Sequence, residues 1–111
     1  GIRPDPSKPG FKRVLLEPKV SPRVPEVRAW HEGPYGRIVS EIRQTSDGLE
    51  WLVQVPPNST AVATIPAPSV EAVTEGGVPL RQAHGVRVRM IRPGSVTVGL
   101  LSGRYQFTVR R

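Results

Sequence analysis

The chain has 111 residues, no cysteine, 11 glycines, 13 prolines and a formal net charge of +7. This length is that of one domain, and the lack of cysteine excludes disulfide bonds, thiolate metal sites and thiol nucleophiles. Glycine and proline are common, but the apolar share of 37% is that of a chain that folds. The composition therefore predicts a folded, turn-rich protein. No apolar segment has the length of a membrane span, so no membrane partner is expected.

Apolar and polar residues alternate with period two through nearly every segment between turns, which is typical of strands. The clearest case is residues 49–55, whose odd-numbered positions are all apolar, directly after an Asp47-Gly48 hairpin signal. Residues 69–74 also allow a short helix, but Val70 and Val73 favour a strand. The predicted segments lie at residues 11–17, 25–32, 37–44, 49–55, 60–65, 70–74, 78–80, 86–92, 95–101 and 104–110.

These ten segments, of which 70–74 also allows a helix and 78–80 is only three residues long, amount to about eight or nine short strands with turns between them. Their roughly ten-residue spacing predicts an all-β fold, an antiparallel two-sheet β-sandwich. Residues 1–10 contain three prolines and lack the alternation. We therefore expect a linker at residues 1–10 and a single sandwich domain at residues 11–111.

No group of residues has the arrangement typical of a catalytic site. His31 and His84 lie in separate segments, and no G-x-S-x-G elbow accompanies them. His31 and Glu32 are adjacent in a predicted strand, so they point to opposite faces and are poorly placed to share a metal. The sequence predicts no catalytic, metal or cofactor site. The carboxylates on predicted strands alternate with basic residues as surface charges do; they are Glu26, Glu32, Glu41 and Glu50.

The positive charge is concentrated in the last third of the chain. Residues 76–111 contain seven arginines and no acidic residue, whereas residues 1–75 are balanced. Arg87 and Arg89 share a strand face, which makes them, with Arg92, a candidate surface for an anionic partner. Further candidates for this face are Arg104, Arg110 and Arg111.

Nucleic acid is one possible anionic partner of these arginines. Single-strand binders combine a basic groove with aromatic residues on which bases stack. Here Tyr105 and Phe107 alternate with polar residues, as core side chains do. The pattern therefore favours a solvent-facing or interface surface over a nucleic-acid site.

Some strands carry apolar residues on both sides. Leu15, Trp30 and Leu52 each lie opposite the apolar side of their own strand, and Tyr35 lies in a turn. Such residues indicate a covered face or an interface. Leu15, Trp30, Tyr35 and Leu52 are the candidate domain interface. Trp30 and Tyr35 could alternatively offer flat platforms to a carbohydrate.

Five segments, taken in order, carry a resemblance to a known family. They are PGFKRVLLEP at 9–18, GPYGRIVSEI at 33–42, VQVPPNSTAVATIP at 53–66, EGGVPL at 75–80 and SGRYQFTV at 102–109. Together they resemble the C-terminal β-sandwich domain of bacterial α-L-rhamnosidases, glycoside hydrolases of family seventy-eight that release terminal α-linked rhamnose. The opening GIRPD is similar to the exit from the last helix of the catalytic domain in such enzymes.

This resemblance implies a non-catalytic domain. In such enzymes an upstream helical barrel carries the two carboxylates of an inverting mechanism, one protonating the leaving oxygen and one activating water. No family catalytic residue maps onto this chain. The implied role is to brace the catalytic domain of the same polypeptide, with rhamnosides as substrates of the parent enzyme and no cofactor.

Two matters stay open at this point. One alternative is an independent carbohydrate- or nucleic-acid-binding β module that uses Trp30 and Tyr35 or the face of Arg87 and Arg89. The compartment is the other, since bacterial cytoplasm, periplasm and secretion all fit the sequence.

Overall fold

Eleven strands and two 3-10 helices make up the computed structural model, which describes residues 1–8, 10–21 and 23–110. The 3-10 helices are Val70–Ala72 and Leu80–Gln82. The strands are β1 (Ile2–Pro4), β2 (Arg13–Leu16), β3 (Glu26–Gly33), β4 (Gly36–Thr45), β5 (Gly48–Val55), β6 (Thr60–Pro66), β7 (Val73–Glu75), β8 (Val78–Pro79), β9 (Val86–Arg92), β10 (Ser95–Leu100) and β11 (Gly103–Arg110).

The strands form two sheets that face each other across one core. The five-stranded sheet has the order β1-β2-β6-β10-β9, and the six-stranded sheet has the order β3-β4-β5-β11-β7-β8. All neighbours are antiparallel except β2 and β6, which run parallel. The predicted all-β sandwich is therefore confirmed. The three-residue β1 and the two-residue β8 are too short to show a period-two pattern in the sequence.

The centre of the core is built by β5 and β11, which are neighbours in the six-stranded sheet. Trp51 pairs directly with Phe107, both side chains are fully buried, and their ring centroids are 6.0 Å apart. The Trp51 indole N–H donates to Ser40 Oγ at 2.8 Å, which satisfies the polar atom of the largest core side chain. The apolar face predicted for residues 49–55 thus lies in the core. The five-stranded sheet covers it with buried side chains that include Val14, Leu16, Ala63, Ile65, Val96 and Val98.

The sandwich begins earlier than the sequence suggests. Residues 1–10 are expected to be a linker, but β1 lies within them and pairs with β2 through Ile2 and Leu16. The amino group of Gly1 donates to the carbonyl oxygen of Glu17 at 3.0 Å. The prolines hide this strand in the sequence, yet Pro4 is acceptable there because β1 is an edge strand. That residues 1–10 also connect to an upstream domain stays a prediction.

Residues 69–74 contain both of the structures that the sequence allows. A 3-10 helix at Val70–Ala72 is followed at once by β7, and Val70 and Val73 are buried. The helix is one turn long, so it shows no helical period in the sequence. Similarly, the segment expected as a strand at 78–80 divides into β8 and the start of the second 3-10 helix, Leu80–Gln82.

Gly48 is required by the close approach of β11. The hairpin between β4 and β5 pairs Thr45 with Gly48, so Ser46 and Asp47 form the turn, and Gly48 has φ +155°. A Cβ at Gly48 would lie 1.8 Å from the carbonyl oxygen of Val109. Gly77, in the β7–β8 turn, also has a positive φ of +84°, but a Cβ there would meet nothing within 4 Å.

Gly48→Ala and Gly77→Ala therefore form a matched pair. We expect Gly77→Ala to lower the free energy of unfolding by about 1 kcal/mol, the cost of a left-handed conformation for alanine. Gly48→Ala should cost at least about 3 kcal/mol, because β11 must also shift. Urea unfolding followed by tryptophan fluorescence measures both. An equal loss of unfolding free energy in the two variants would contradict the inference that the close approach of β11 requires a glycine at position 48.

Candidate functional site

The outer face of the five-stranded sheet carries an open groove. Leu15, Val62, Gly99 and Arg87 lie side by side on β2, β6, β10 and β9. Gly99 has no side chain, so the face is lower there, and the stem of Arg89 lies beside it. The groove has a volume of about 770 Å³. We call it the arginine groove, lined by Arg13, Val62, Arg87, Arg89 and Gly99 among others.

A β-bulge interrupts β9 beside the groove. Val88 pairs with Val98 and Met90 with Thr97, which leaves Arg89 as the extra residue of β9. Arg87 and Arg89 are two residues apart in β9, so alternation already places both side chains on the outer face. A Cβ placed on Gly99 would lie 3.4 Å from Arg89 Cδ, so the Arg89 side chain lies on the outer face. Arg87 and Arg89 therefore share this surface, and the bulge adds Met90 to it, because Met90 pairs with the outward-facing Thr97.

The sequence placed more arginines on this face than the structure does. Arg92 pairs with Ser95 at the end of β9, on the predicted face but beyond the lining of the groove, and its Nε lies 2.9 Å from Met90 Sδ. Arg104 and Arg110 lie on β11, in the other sheet, so their inclusion was wrong. The chain crosses between the sheets at residues 101–102, and an alternating pattern gives no sign of that crossing. Arg111 lies outside the described residues.

Tyr105 lies beneath one end of the arginine groove and contacts the backbone of two residues that line it. Its hydroxyl donates to the carbonyl oxygen of Leu101 at 2.8 Å, and it lies 3.3 Å from the carbonyl oxygen of Gly85. Leu101 and Gly85 both line the groove. Because Tyr105 belongs to β11, this contact ties the six-stranded sheet to the loops of the five-stranded sheet. Burial raises the pKa of the Tyr105 phenol, and the nearby charge of Glu75 raises it further.

The outer face of the six-stranded sheet is different, because its charges are paired. Arg43 lies 2.5 Å from Glu50 and Arg37 lies 2.6 Å from Glu32. The Arg37 guanidinium also lies over the Trp30 ring, 4.8 Å from its centroid, and Trp30 is 62% exposed. Trp30 therefore stands on a surface of ion pairs, with one face of its indole occupied by Arg37.

The four residues of the candidate apolar interface do not form one patch. Leu15 lies on the outer face of the five-stranded sheet, and Leu52 on the outer face of the six-stranded sheet; both are half-buried. Trp30 lies on the same outer face as Leu52, and Tyr35 is exposed in the β3–β4 turn. None of the four is buried in the sandwich. Their role as an interface stays a prediction.

The residue types used by enzymes are dispersed. His31 stacks on Phe11 with ring centroids 4.4 Å apart, while His84 is exposed in a turn. Glu41 and Glu50 lie beside a shallow depression of about 320 Å³ between arginines, among them Arg43. Within residues 1–8, 10–21 and 23–110, no three His, Asp or Glu side chains are grouped as metal ligands.

The same residues contain no helix with the length and apolarity of a membrane span.

Sequence reasoning missed the groove itself. Gly99 looks like an ordinary interruption in a strand, and a glycine inside a strand pattern is the available signal for a bulge or a close approach. The bulge lies on the neighbouring strand instead, at Arg89. The alternation of Arg87 and Arg89 in the sequence predicts their shared face correctly.

Comparison with known proteins identifies the family. Residues 1–78 match the family described as bacterial alpha-L-rhamnosidase C-terminal domain. The chain belongs to this family. An alpha-L-rhamnosidase of Streptomyces avermitilis is 30% identical over 104 residues, which are 94% of this chain and 9% of that protein. The resemblance found in the sequence is therefore confirmed.

Solved structures show the same fold for this rhamnosidase C-terminal domain. The crystal structure of the Streptomyces avermitilis alpha-L-rhamnosidase complexed with L-rhamnose matches with a TM-score of 0.82 and 26% identity, over 98% of this chain and 10% of that one. The alpha-L-rhamnosidase from Dictyoglumus thermophilum matches with a TM-score of 0.82 and 20% identity, over 100% of this chain and 12% of that one. The domain thus spans about a tenth of the relatives it matches.

The Tyr105 contact in this rhamnosidase C-terminal domain gives a pH prediction. Since the folded state holds the pKa of the phenol above its unfolded value near ~10, the folded phenol stays neutral where the unfolded one ionises. Stability should be full below pH ~10 and decline as the pH rises from there through the folded pKa. Tyr105→Phe should cost about 0.5–1.5 kcal/mol at neutral pH and remove this part of the alkaline decline. Urea unfolding at pH 7 to 11 measures both, and an unchanged alkaline slope in Tyr105→Phe would refute the assignment.

Proposed function

We propose that this chain is a non-catalytic accessory domain of an α-L-rhamnosidase and braces the catalytic part of the same polypeptide. The observation that carries the proposal is that a member of this family spans about a tenth of its relatives and yet forms a sandwich with its own core. The parent enzyme would hydrolyse terminal α-L-rhamnose, the activity named for those relatives. A domain with a separate core is suited to stabilising a larger neighbour rather than completing its active site.

The distribution of carboxylates supports a non-catalytic role. Glycoside hydrolysis by the usual route requires two carboxyl groups on either side of a bound sugar. Here Glu26, Glu41 and Glu50 surround a shallow depression, and Glu26 and Glu50 are in contact with Arg28 and Arg43. Such carboxylates belong to an exposed ion-pair network. In the proposal, the acid and base of an inverting mechanism lie in the catalytic part of the parent.

Sugar binding is a second candidate, and the exposure of Trp30 favours it. An exposed indole is a suitable platform for the apolar face of a sugar ring. Arg37 already covers one face of Trp30, so a sugar would have to use the other. Neither candidate requires a cofactor.

The accessory role predicts no hydrolysis by the isolated chain. We expect an aryl α-L-rhamnoside to be hydrolysed by the parent polypeptide and not by residues 1–111 alone, assayed by release of the aryl alcohol. A parent shortened by these residues should unfold at a lower temperature than the intact parent. Hydrolysis by the isolated chain, or an unchanged thermal midpoint after shortening, would contradict the proposal.

Trp30 distinguishes the two candidates. Since Trp51 is fully buried, a sugar that binds at the surface would alter the emission of Trp30 alone. The accessory role predicts no saturable change in tryptophan emission when L-rhamnose is added to the isolated chain. A saturable change that Trp30→Phe abolishes would support the sugar-binding module instead, and a change that persists in Trp30→Phe would exclude Trp30 as its source.

A further inference from the structure

The arginine groove carries positive charge that the domain does not neutralise. Arg87, Arg89 and Arg92 contact no carboxylate among the residues that the structure describes. Arg13 has a carboxylate 3.8 Å away, on Asp5. On the outer face of the six-stranded sheet Arg28, Arg37 and Arg43 are paired with glutamates. The two arginines of β11 that lack such a pair lie near opposite ends of that strand, so the groove is where unpaired guanidinium groups lie together among the described residues.

Exposed apolar side chains accompany these arginines. Met90 is 47%, Ile91 is 50% and Leu101 is 58% exposed. Ile91 pairs with Val96, which is fully buried, so Ile91 points toward the interior and yet half of its surface is uncovered. Apolar groups beside an open groove favour contact with another surface over contact with water.

The composition of this surface indicates a protein partner. Interface centres are enriched in arginine and methionine and depleted in lysine, aspartate and glutamate. Residues 76–111 contain seven arginines, no lysine and no acid. Nucleic acid is a poorer fit, because none of the described residues that line the groove is aromatic and bases would lack a ring on which to stack.

The edge of β9 limits how that partner can bind. β9 is an edge strand, and edge strands recruit other strands unless charges or bulges prevent it. β9 has both, with three arginines and the bulge at Arg89. The partner therefore contacts the outer face through side chains and does not extend the sheet.

The position of Gly1 connects this face with the rest of the parent. The family is by description a C-terminal domain, so the remaining nine-tenths of a relative precede it. Gly1 is bound to Glu17 at the end of β2, in the same sheet as β9. Four strand spacings separate β1 from β9, which is about 19 Å. A preceding segment would thus enter beside the sheet that carries the groove.

We propose that the arginine groove is the docking face of this domain, and that its occupant is an acidic, partly apolar surface of the preceding part of the same polypeptide. This proposal rests on the proposed accessory function and adds the surface and the chemistry of its partner. Arg87 and Arg89 bind carboxylates of that surface, and Met90 and Leu101 pack against its apolar groups. The six-stranded sheet faces away from the catalytic part.

Charge reversal in the full-length parent tests the docking face. Arg87→Glu/Arg89→Glu reverses two charges in the groove, and Arg104→Glu/Arg110→Glu reverses two equally unpaired charges of the other sheet as a matched control. Protease cleavage between the catalytic part and the sandwich should be about five-fold faster in the first variant, the order expected when charge contacts become repulsive. The control should change little. Sodium chloride at about 1 M, where charges are screened beyond ~3 Å, should accelerate cleavage of the natural sequence toward the first variant.

A second variant guards against misfolding. Gly99→Ile fills the floor of the groove without changing charge, and Gly99 has an extended backbone that isoleucine accepts. The isolated chain with this change should keep its thermal midpoint, while the parent should show the faster cleavage. Equal cleavage in the groove variants and the control would overturn the proposal.

The outcomes also separate this proposal from the accessory function. A parent that is destabilised by removal of residues 1–111 but unaffected by the groove variants keeps the accessory function and loses the docking face. A parent that is indifferent to removal loses both. A salt-dependent shift with single-stranded oligonucleotides, abolished in Arg87→Glu/Arg89→Glu while parent cleavage is unchanged, would overturn the proposal in favour of nucleic acid.

Discussion

The pairing of Trp51 with Phe107 across β5 and β11 is the contact on which the other layers depend. Because both rings lie on one face of the six-stranded sheet, they fix which side of β4, β5 and β11 is inward. A shift of one residue in this register would place Trp51 opposite Gln106 or Thr108, so that one of the two rings would turn to solvent. Burial of two aromatic side chains is worth several kcal/mol, of order ~2–3 each, so the register is strongly specified. The inner face of β4, β5 and β11 is then the apolar surface that the five-stranded sheet covers.

That register also separates the two outer faces and their charges. Alternation sends every second residue outward, so the outer face of the six-stranded sheet takes the glutamates and arginines of residues 26–50. The three arginines among them are each paired with a glutamate. The outer face near β9 is supplied by a stretch with arginine as its charged residue. The outer face of the six-stranded sheet thus suits water, and the outer face near β9 suits a partner. This difference arises because residues 76–111 contain no acid and because β9 and β10 belong to the five-stranded sheet.

The period-two alternation of apolar and polar residues predicted most of the strands, and it failed only at particular short segments. The strands β5, β6 and β11 show the alternation, and their buried positions could be predicted. β1 and β8 are too short for any period, and the prolines of residues 1–10 suggest a linker where the sheet already begins. Of the candidate surface, Arg87 and Arg89 were predictable as neighbours. The placement of Arg104 and Arg110 was not, because it depends on a crossing between sheets that follows from packing alone.

The parallel pairing of β2 with β6 has a consequence for how the domain forms. Arg13 lies against Thr60, and β6 in turn requires β10, so the first strands have no sheet to join until most of the chain is present. Such distant pairings slow folding, because a long loop must close before the contact exists. During synthesis β1 and β2 would leave the ribosome well before their partners. In a longer polypeptide the segment at the junction would therefore be the last to become ordered, and the neighbouring part would have time to fold before this domain closes against it.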